Sequence, residues 1–180
     1  MVYNIIKGEA VVGIRNIKLL GGIGIGLSLF SWLPAVGILL SLVGTILIFI
    51  AFWRISKINP EKGIFKNVML GYLFSFLGGF AVGILSSLVS HGSSFNAYLL
   101  ILWILMGVFI SVSGYFFKKA LYETSETFNE KLFKTAGDVI FFGSLGTFVI
   151  LGFFVVFIGW IIATIAFFKL PDELKEKLEN

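Results

Sequence analysis

The sequence predicts an all-α, polytopic transmembrane bundle of six helices arranged as three hairpins, and three observations carry that prediction. Of 180 residues, 58% are hydrophobic and only 13% charged, about half the ~25% charged content of an ordinary soluble domain. The mean hydropathy is +1.00; a water-soluble fold of this size could not cover so much apolar surface, whereas lipid leaves no need to cover it. The charges are also not scattered. All 14 Lys and Arg fall into four segments separated by long apolar runs.

The first element pair comes from residues 19–53, 35 in a row without a charge. As one helix they would reach ~52 Å, against a hydrocarbon core of ~30 Å, so the run has to fold back. The break is written at Ser31-Trp32-Leu33-Pro34. Proline disfavours helix at the residue before it and suits the first turn of the next. Spans are therefore predicted at about 17–31 and 34–53. A polar segment, 54–66, follows with Asn59-Pro60 as its turn signal. Next come spans at about 67–90 and 97–117, joined by the short loop 91–96.

Residues 118–135 form the longest polar connector. Ser125 is a candidate helix cap with Glu126 in the first turn, and Glu130 and Lys134 stand four apart. Leu121, Phe128 and Leu132 fall near one face, so two readings stay open here: an amphipathic helix on the membrane surface, or a solvated connector. The last apolar run, 139–168, has 30 residues. It could be one tilted span or two short ones, at about 136–150 and 152–168. The tail, 170–180, places Leu170, Leu174 and Leu178 on one face and reads as a short amphipathic helix.

Two observations favour the hairpin at 136–168. The first is an internal repeat. Lys18 and Gly21 match Lys134 and Gly137 at a shift of 116, while Gly37, Gly44, Ala51, Phe52 and Arg54 match Gly152, Gly159, Ala166, Phe167 and Lys169 at a shift of 115. The one-residue difference falls at the turn, where a deletion is easiest to absorb. A fainter third trace runs through Gly107 and Gly114-Tyr115-Phe116-Phe117-Lys118.

The second is charge placement. With three hairpins the N-terminus, 54–66, 118–138 and the tail share one side and carry three, four, four and three Lys or Arg, while the opposite turns carry none. Basic residues in short loops stay cytoplasmic, which predicts both termini in the cytoplasm of a multi-pass cell-membrane protein. The five-helix alternative exports Lys169, Lys175 and Lys177. The N-terminal residues mix Lys7, Glu9 and Arg15 with apolar side chains and do not read as a signal peptide.

Small residues at helical spacing, such as Gly22 and Gly26, Gly37 and Ser41, and Gly79 and Gly83, mark close helix packing, because association in lipid depends on backbone approach. They also predict a homo-oligomer formed through Gly-rich helix faces, with the bilayer as the other partner. The run Gly21-Gly22-Ile23-Gly24-Ile25-Gly26 lacks the spacing and strand context of a phosphate loop. The net charge of +4 is accounted for by the cytoplasmic loops, and no nucleic-acid partner is expected.

Chemistry is sparse. There is no Cys and one His, His91, without acidic neighbours, so no metal, cofactor or catalytic residue is assigned. The interiors of the spans hold no Asp, Glu, Lys, Arg or His. That argues against proton coupling and intramembrane carboxylate chemistry, both of which keep such groups at a known cost. Asp138, at the mouth of the fifth helix, reads as an acid favoured by the helix dipole. Ser75, Ser86, Ser87, Ser111, Ser113 and Thr164 should bond within or between helices, and without a base they are poor nucleophiles. Aromatics at span ends, including Trp32 and Trp53, read as interface anchors.

Several stretches carry a family likeness. Leu20-Gly21-Gly22-Ile23-Gly24, Pro34-x-x-Gly37, Ile64-Phe65-Lys66-Asn67, the run Glu130 to Gly137, and Ile162-x-x-x-Ala166-Phe167-Phe168 together resemble the family called domain of unknown function 996, small membrane proteins found mostly in archaea. The resemblance covers nearly the whole chain. It implies a multi-pass membrane protein and carries over no activity or site. The function expected from the residues is a non-enzymatic structural or interaction protein of the membrane, with a channel or uncoupled carrier for small solutes as the alternative.

Overall fold

Apolar runs that must satisfy their own amides in lipid form helices, and the computed structural model of this chain is built from them. It describes residues 2–90, 97–148 and 151–171, and among these are six α-helices and no strand. They are α1 (Val2–Leu29), α2 (Gly37–Ile58), α3 (Ile64–Ser90), α4 (Ala97–Phe128), α5 (Lys131–Leu145) and α6 (Leu151–Phe168), with a 3-10 turn at Gly146–Phe148. Helices α2, α3, α4 and α6 are long and apolar enough to cross a membrane. The loop 91–96 with His91, and the tail from 172 onward, lie outside the described residues.

The helices pair as α1 with α2, α3 with α4, and α5 with α6. The run 139–168 is thus a hairpin, not one tilted helix. Between hairpins α2 meets α3, α4 meets α5, and α6 returns to α1, closing a ring whose thinnest seam is α2–α3. Among the described residues, charged side chains gather at one end of this ring.

Several boundaries depart from the sequence reading. Pro34 does not open α2. It stands in a turn where Ala35 takes φ 64° and the Gly37 N–H donates to the Leu33 carbonyl at 2.9 Å. Helix begins only at Gly37, where a Cβ would run into the Ser31 carbonyl. α2 then continues to Ile58, past residue 53, and α3 starts at Ile64 instead of 67. α1 extends back to Val2 instead of starting at 17.

The largest correction concerns residues 118–135, which are neither a separate surface helix nor a solvated connector. α4 runs on to Phe128, and the Thr124 and Thr127 hydroxyls donate to the carbonyls of Ala120 and Glu123, each at 2.8 Å. It stops at Asn129, φ 55°, with the Glu130 N–H reaching back to the Ser125 carbonyl at 3.2 Å. That is a left-handed C-terminal cap, so Ser125 starts no helix. Glu130 does: its carboxylate accepts from the Leu132 N–H at 3.1 Å, capping α5. α5 therefore occupies 131–145 instead of 136–150.

The repeat of the outer hairpins is legible in their contacts. A Cβ on Gly37 would strike the Ser31 carbonyl, and one on Gly152 would strike that of Gly146, its counterpart at the same shift. Gly44 backs onto Gly24, while a Cβ on Gly159 would stand 2.9 Å from the backbone N of Ile140, the counterpart of Gly24. The middle hairpin is packed differently. There the close approach comes from α3, with Gly71 against the Phe117 ring and Gly78 against Ile110. Gly107 and Gly114 face Phe148 and Ser144 of the next hairpin, so the third trace does not share the contacts of the other two.

The core sits toward the charged end. Phe167 packs edge-to-face on Phe52 and on Phe133, with ring centroids 5.6 and 4.9 Å apart. All three are at most 2% exposed. Phe52 and Phe167 are repeat partners, so the duplicated position supplies both halves of this contact.

Candidate functional site

The half of the ring away from the charges holds a half-open cavity of about 410 Å³. α1 and its turn contribute Ile25, Ser28, Leu29, Ser31 and Trp32, and α2 contributes Ser41, Thr45 and Ile48. Tyr72 and Ser75 enter from α3, and Phe153, Val156, Phe157 and Trp160 from α6. Phe117 of α4 reaches in from below, and no carboxylate, ammonium, guanidinium or imidazole lines the space.

Aromatic rings close its floor. Phe49, Tyr72, Phe117 and Trp160 follow one another edge-to-face, with centroid separations of 4.8, 5.2 and 5.0 Å. This row crosses from α2 through α3 and α4 to α6, an arrangement that ring quadrupoles favour. The Phe52–Phe167–Phe133 cluster lies beyond it, toward the charged end. Two aromatic layers therefore separate the cavity from the charged face.

Several hydroxyls around the space are already engaged. Ser28 Oγ donates to the Gly24 carbonyl at 3.0 Å, and the Tyr72 phenol lies beside Thr45. Ser75 Oγ lies 2.7 Å from Ser113 Oγ, which donates to the Gly71 carbonyl at 2.8 Å. Ser31 and Ser41 carry hydroxyls with no partner among the described residues.

The sequence-predicted polar residues make ordinary bonds, most of them back to their own helix. Ser111 donates to the Gly107 carbonyl at 2.7 Å, and Thr164 to that of Trp160 at 3.0 Å. Of that group only Ser75 lines the cavity. Ser28, Ser31, Thr45 and Tyr72 escaped the sequence reading, and Ser41 entered it only as a packing position. The available signal was spacing: Ser41 and Thr45 lie four apart in an otherwise apolar helix, hence on one face.

The charged end is held by directional contacts. Asp138 pairs with Lys118 at 2.9 Å and accepts the Tyr122 hydroxyl at 2.7 and 2.8 Å on its two oxygens. Its role is to join α4 to α5. On the other flank of α4, Asn67 donates to Glu123 at 3.0 Å, and Lys62 reaches Glu126 at 2.7 Å. That ammonium holds the exposed Glu126 carboxyl below the usual carboxylate range, through its hydrogen bond first and its charge second. Among the described residues no group of three His, Cys, Asp or Glu could hold a metal ion.

Not every small-residue mark proved to be an intrachain contact. Gly22 packs on the Phe168 ring, but Gly26, Gly79 and Gly83 meet nothing within 4 Å. Trp32 and Trp53 are exposed, at 69% and 47%.

Compared with known proteins, residues 40–161 match the family described as Protein of unknown function (DUF996). The matched stretch contains the α3, α4 and α6 walls of the cavity and all of its α2 residues. An uncharacterized protein of Methanocaldococcus jannaschii is 34% identical over 175 residues, which is 91% of this chain and 97% of that one. No solved structure matches.

Proposed function

We infer that this chain, which belongs to the DUF996 family, is a non-enzymatic interaction protein of the cell membrane. In this reading all six helices cross the bilayer and both termini face the cytoplasm. The observation that carries it is the segregation of charge. Among the described residues every Lys and Arg lies toward one end of the ring, as cytoplasmic loops require, and no carboxylate, ammonium, guanidinium or imidazole lines the cavity at the other. Ser hydroxyls without a base, and an acid already engaged by a lysine and a tyrosine, supply no acid–base pair. The interaction face of this reading lies on α3, where Gly79 and Gly83 remain uncovered and a second copy could approach closely.

Topology is the direct test. The chain has no Cys, so single cysteines report without background. In intact cells an impermeant maleimide should label Val36→Cys and spare Lys175→Cys and Glu61→Cys until the membrane is permeabilised. Labelling of Lys175→Cys in sealed cells would overturn the six-span arrangement.

A second reading, an uncoupled carrier for small neutral solutes, is favoured by where the cavity sits. Ser41 and Thr45 of α2 line it, and so do Val156 and Trp160, their counterparts on α6 at a shift of 115. Transporters commonly place substrate between repeated units. Solute flux into proteoliposomes no faster than into empty vesicles, across a panel of neutral solutes, would remove this reading.

A further inference from the structure

We propose that the cavity is a binding site for an uncharged amphiphile from the bilayer: an alcohol with an apolar body and a single hydroxyl. The volume of about 410 Å³ lies within the ~300–1,000 Å³ of small-molecule sites. The lining offers an ionised ligand no side chain of opposite charge, and an unpaired buried charge is costly to desolvate.

The two walls are chemically opposite, and the repeat shows this most clearly. Ser41 and Thr45 make the α2 wall hydrogen-bonding. Their counterparts Val156 and Trp160, with Phe153 and Phe157, make the α6 wall apolar and aromatic. One duplicated helix position has thus become a polar surface on one side and a greasy one on the other. Close helix packing calls for small residues and does not account for hydroxyls on one wall of the cavity and rings on the other.

The hydroxyl inventory then limits the ligand. Ser28 and Ser75 are hydrogen-bonded to protein partners, and Thr45 and Tyr72 face each other across α2 and α3. Ser31 and Ser41, flanking the α1–α2 turn, remain for the ligand. One alcohol hydroxyl can accept from one and donate to the other. The aromatic floor stops the apolar body at the level of Tyr72 and Trp160, so the ligand enters from the uncharged side and does not pass through.

This site rests on the membrane reading only for the source of its ligand, and binding to purified protein is measured independently of topology. The probe is 1-decanol added to the purified full-length chain in detergent, read by native mass spectrometry and by thermal unfolding. One saturable equivalent should bind and raise the unfolding temperature. The Ser31→Ala/Ser41→Ala double variant should weaken decanol binding about tenfold, the equivalent of ~1.4 kcal/mol, while melting like the parent. Ile38→Ala, on the outer face of α2, should bind like the parent.

Three outcomes would overturn the proposal: no saturable decanol on a cooperatively melting protein, decane binding as tightly as decanol with both insensitive to the double variant, or glycerol binding in place of decanol. The second would leave a bare acyl-chain crevice, and the third a site for a water-borne polyol. If maleimide labelling contradicted six spans while decanol still bound with serine dependence, the site would stand and the topology would fall.

Discussion

The two ends of the ring use different contacts to hold the same six helices. At the charged end, Phe52, Phe133 and Phe167 interlock at no more than 2% exposure, and the seams carry Lys118–Asp138, Tyr122–Asp138, Asn67–Glu123 and Lys62–Glu126. At the uncharged end the helices flank a half-open cavity, and large side chains such as Ile38, Phe80 and Phe154 face outward, at 74%, 64% and 64% exposure. Ionic and hydrogen-bonding side chains can lock a helix seam near water, where their alternative is solvation. Deep in lipid an apolar side chain gains little by leaving lipid for a neighbouring helix, so only close backbone approach or a buried polar bond holds the seam. This contrast predicts that the charged end is the more tightly held of the two.

The largest test of that contrast compares two phenylalanines on α6. Phe167→Ala removes a ring packed against Phe52, Phe133 and Gly21 and should cost about 3–5 kcal/mol, read as a lowered unfolding midpoint in mixed micelles. Phe157→Ala, at a position 41% exposed beside the cavity, should cost less than half as much. Equal losses would mean that the two ends are equally packed.

Glycines give the next contrast. Gly44→Leu forces a side chain toward the Gly24 carbonyl and the Ser28 amide, the latter 3.0 Å from where a Cβ would stand. It should destabilise by about 1–3 kcal/mol. Gly79→Leu has open space and should leave monomer unfolding unchanged, but it should reduce crosslinked dimer in lipid if a second copy uses that face. A dimer yield unaltered by Gly79→Leu would remove the α3 interface.

The smallest effect is expected from the half-exposed ion pair. Asp138→Asn keeps an acceptor for Tyr122 and loses the charge facing Lys118. Such pairs contribute about 0–1 kcal/mol, so the midpoint should fall slightly, and the loss should shrink further in 1 M salt. A salt-independent loss well above that range would show that the rigidity of this end depends on the pair more than on the aromatic layer.

Much of this architecture was legible in the chain. The 35-residue uncharged run is too long for one crossing, and Pro34 marks where it turns. The matched glycines at 37 and 152, and at 44 and 159, signalled that 139–168 would fold like 19–53, as it does. The extension of α4 was not legible. Residues 118–128 are polar enough to pass for a loop, and what keeps them helical against the bundle is Tyr122 and Glu123 meeting Asp138 and Asn67 from distant parts of the sequence. The helix cap was misread for a related reason. Ser125 and Glu130 both suit an N-terminal position, and the left-handed Asn129 decides between them.

Hydropathy, turn residues and charge order thus determined by themselves that this protein is helical, how many hairpins it makes and which end carries the ions. These are local properties, set by each segment's preference for lipid or water. Tertiary structure alone decided that α6 closes onto α1, that four rings from four helices meet in one row, and that among the described residues Ser31 and Ser41 are left without side-chain partners. A helix turns by ~100° per residue, so the azimuth at which each helix docks selects which side chains converge, and that angle is set jointly by neighbours far apart in the chain.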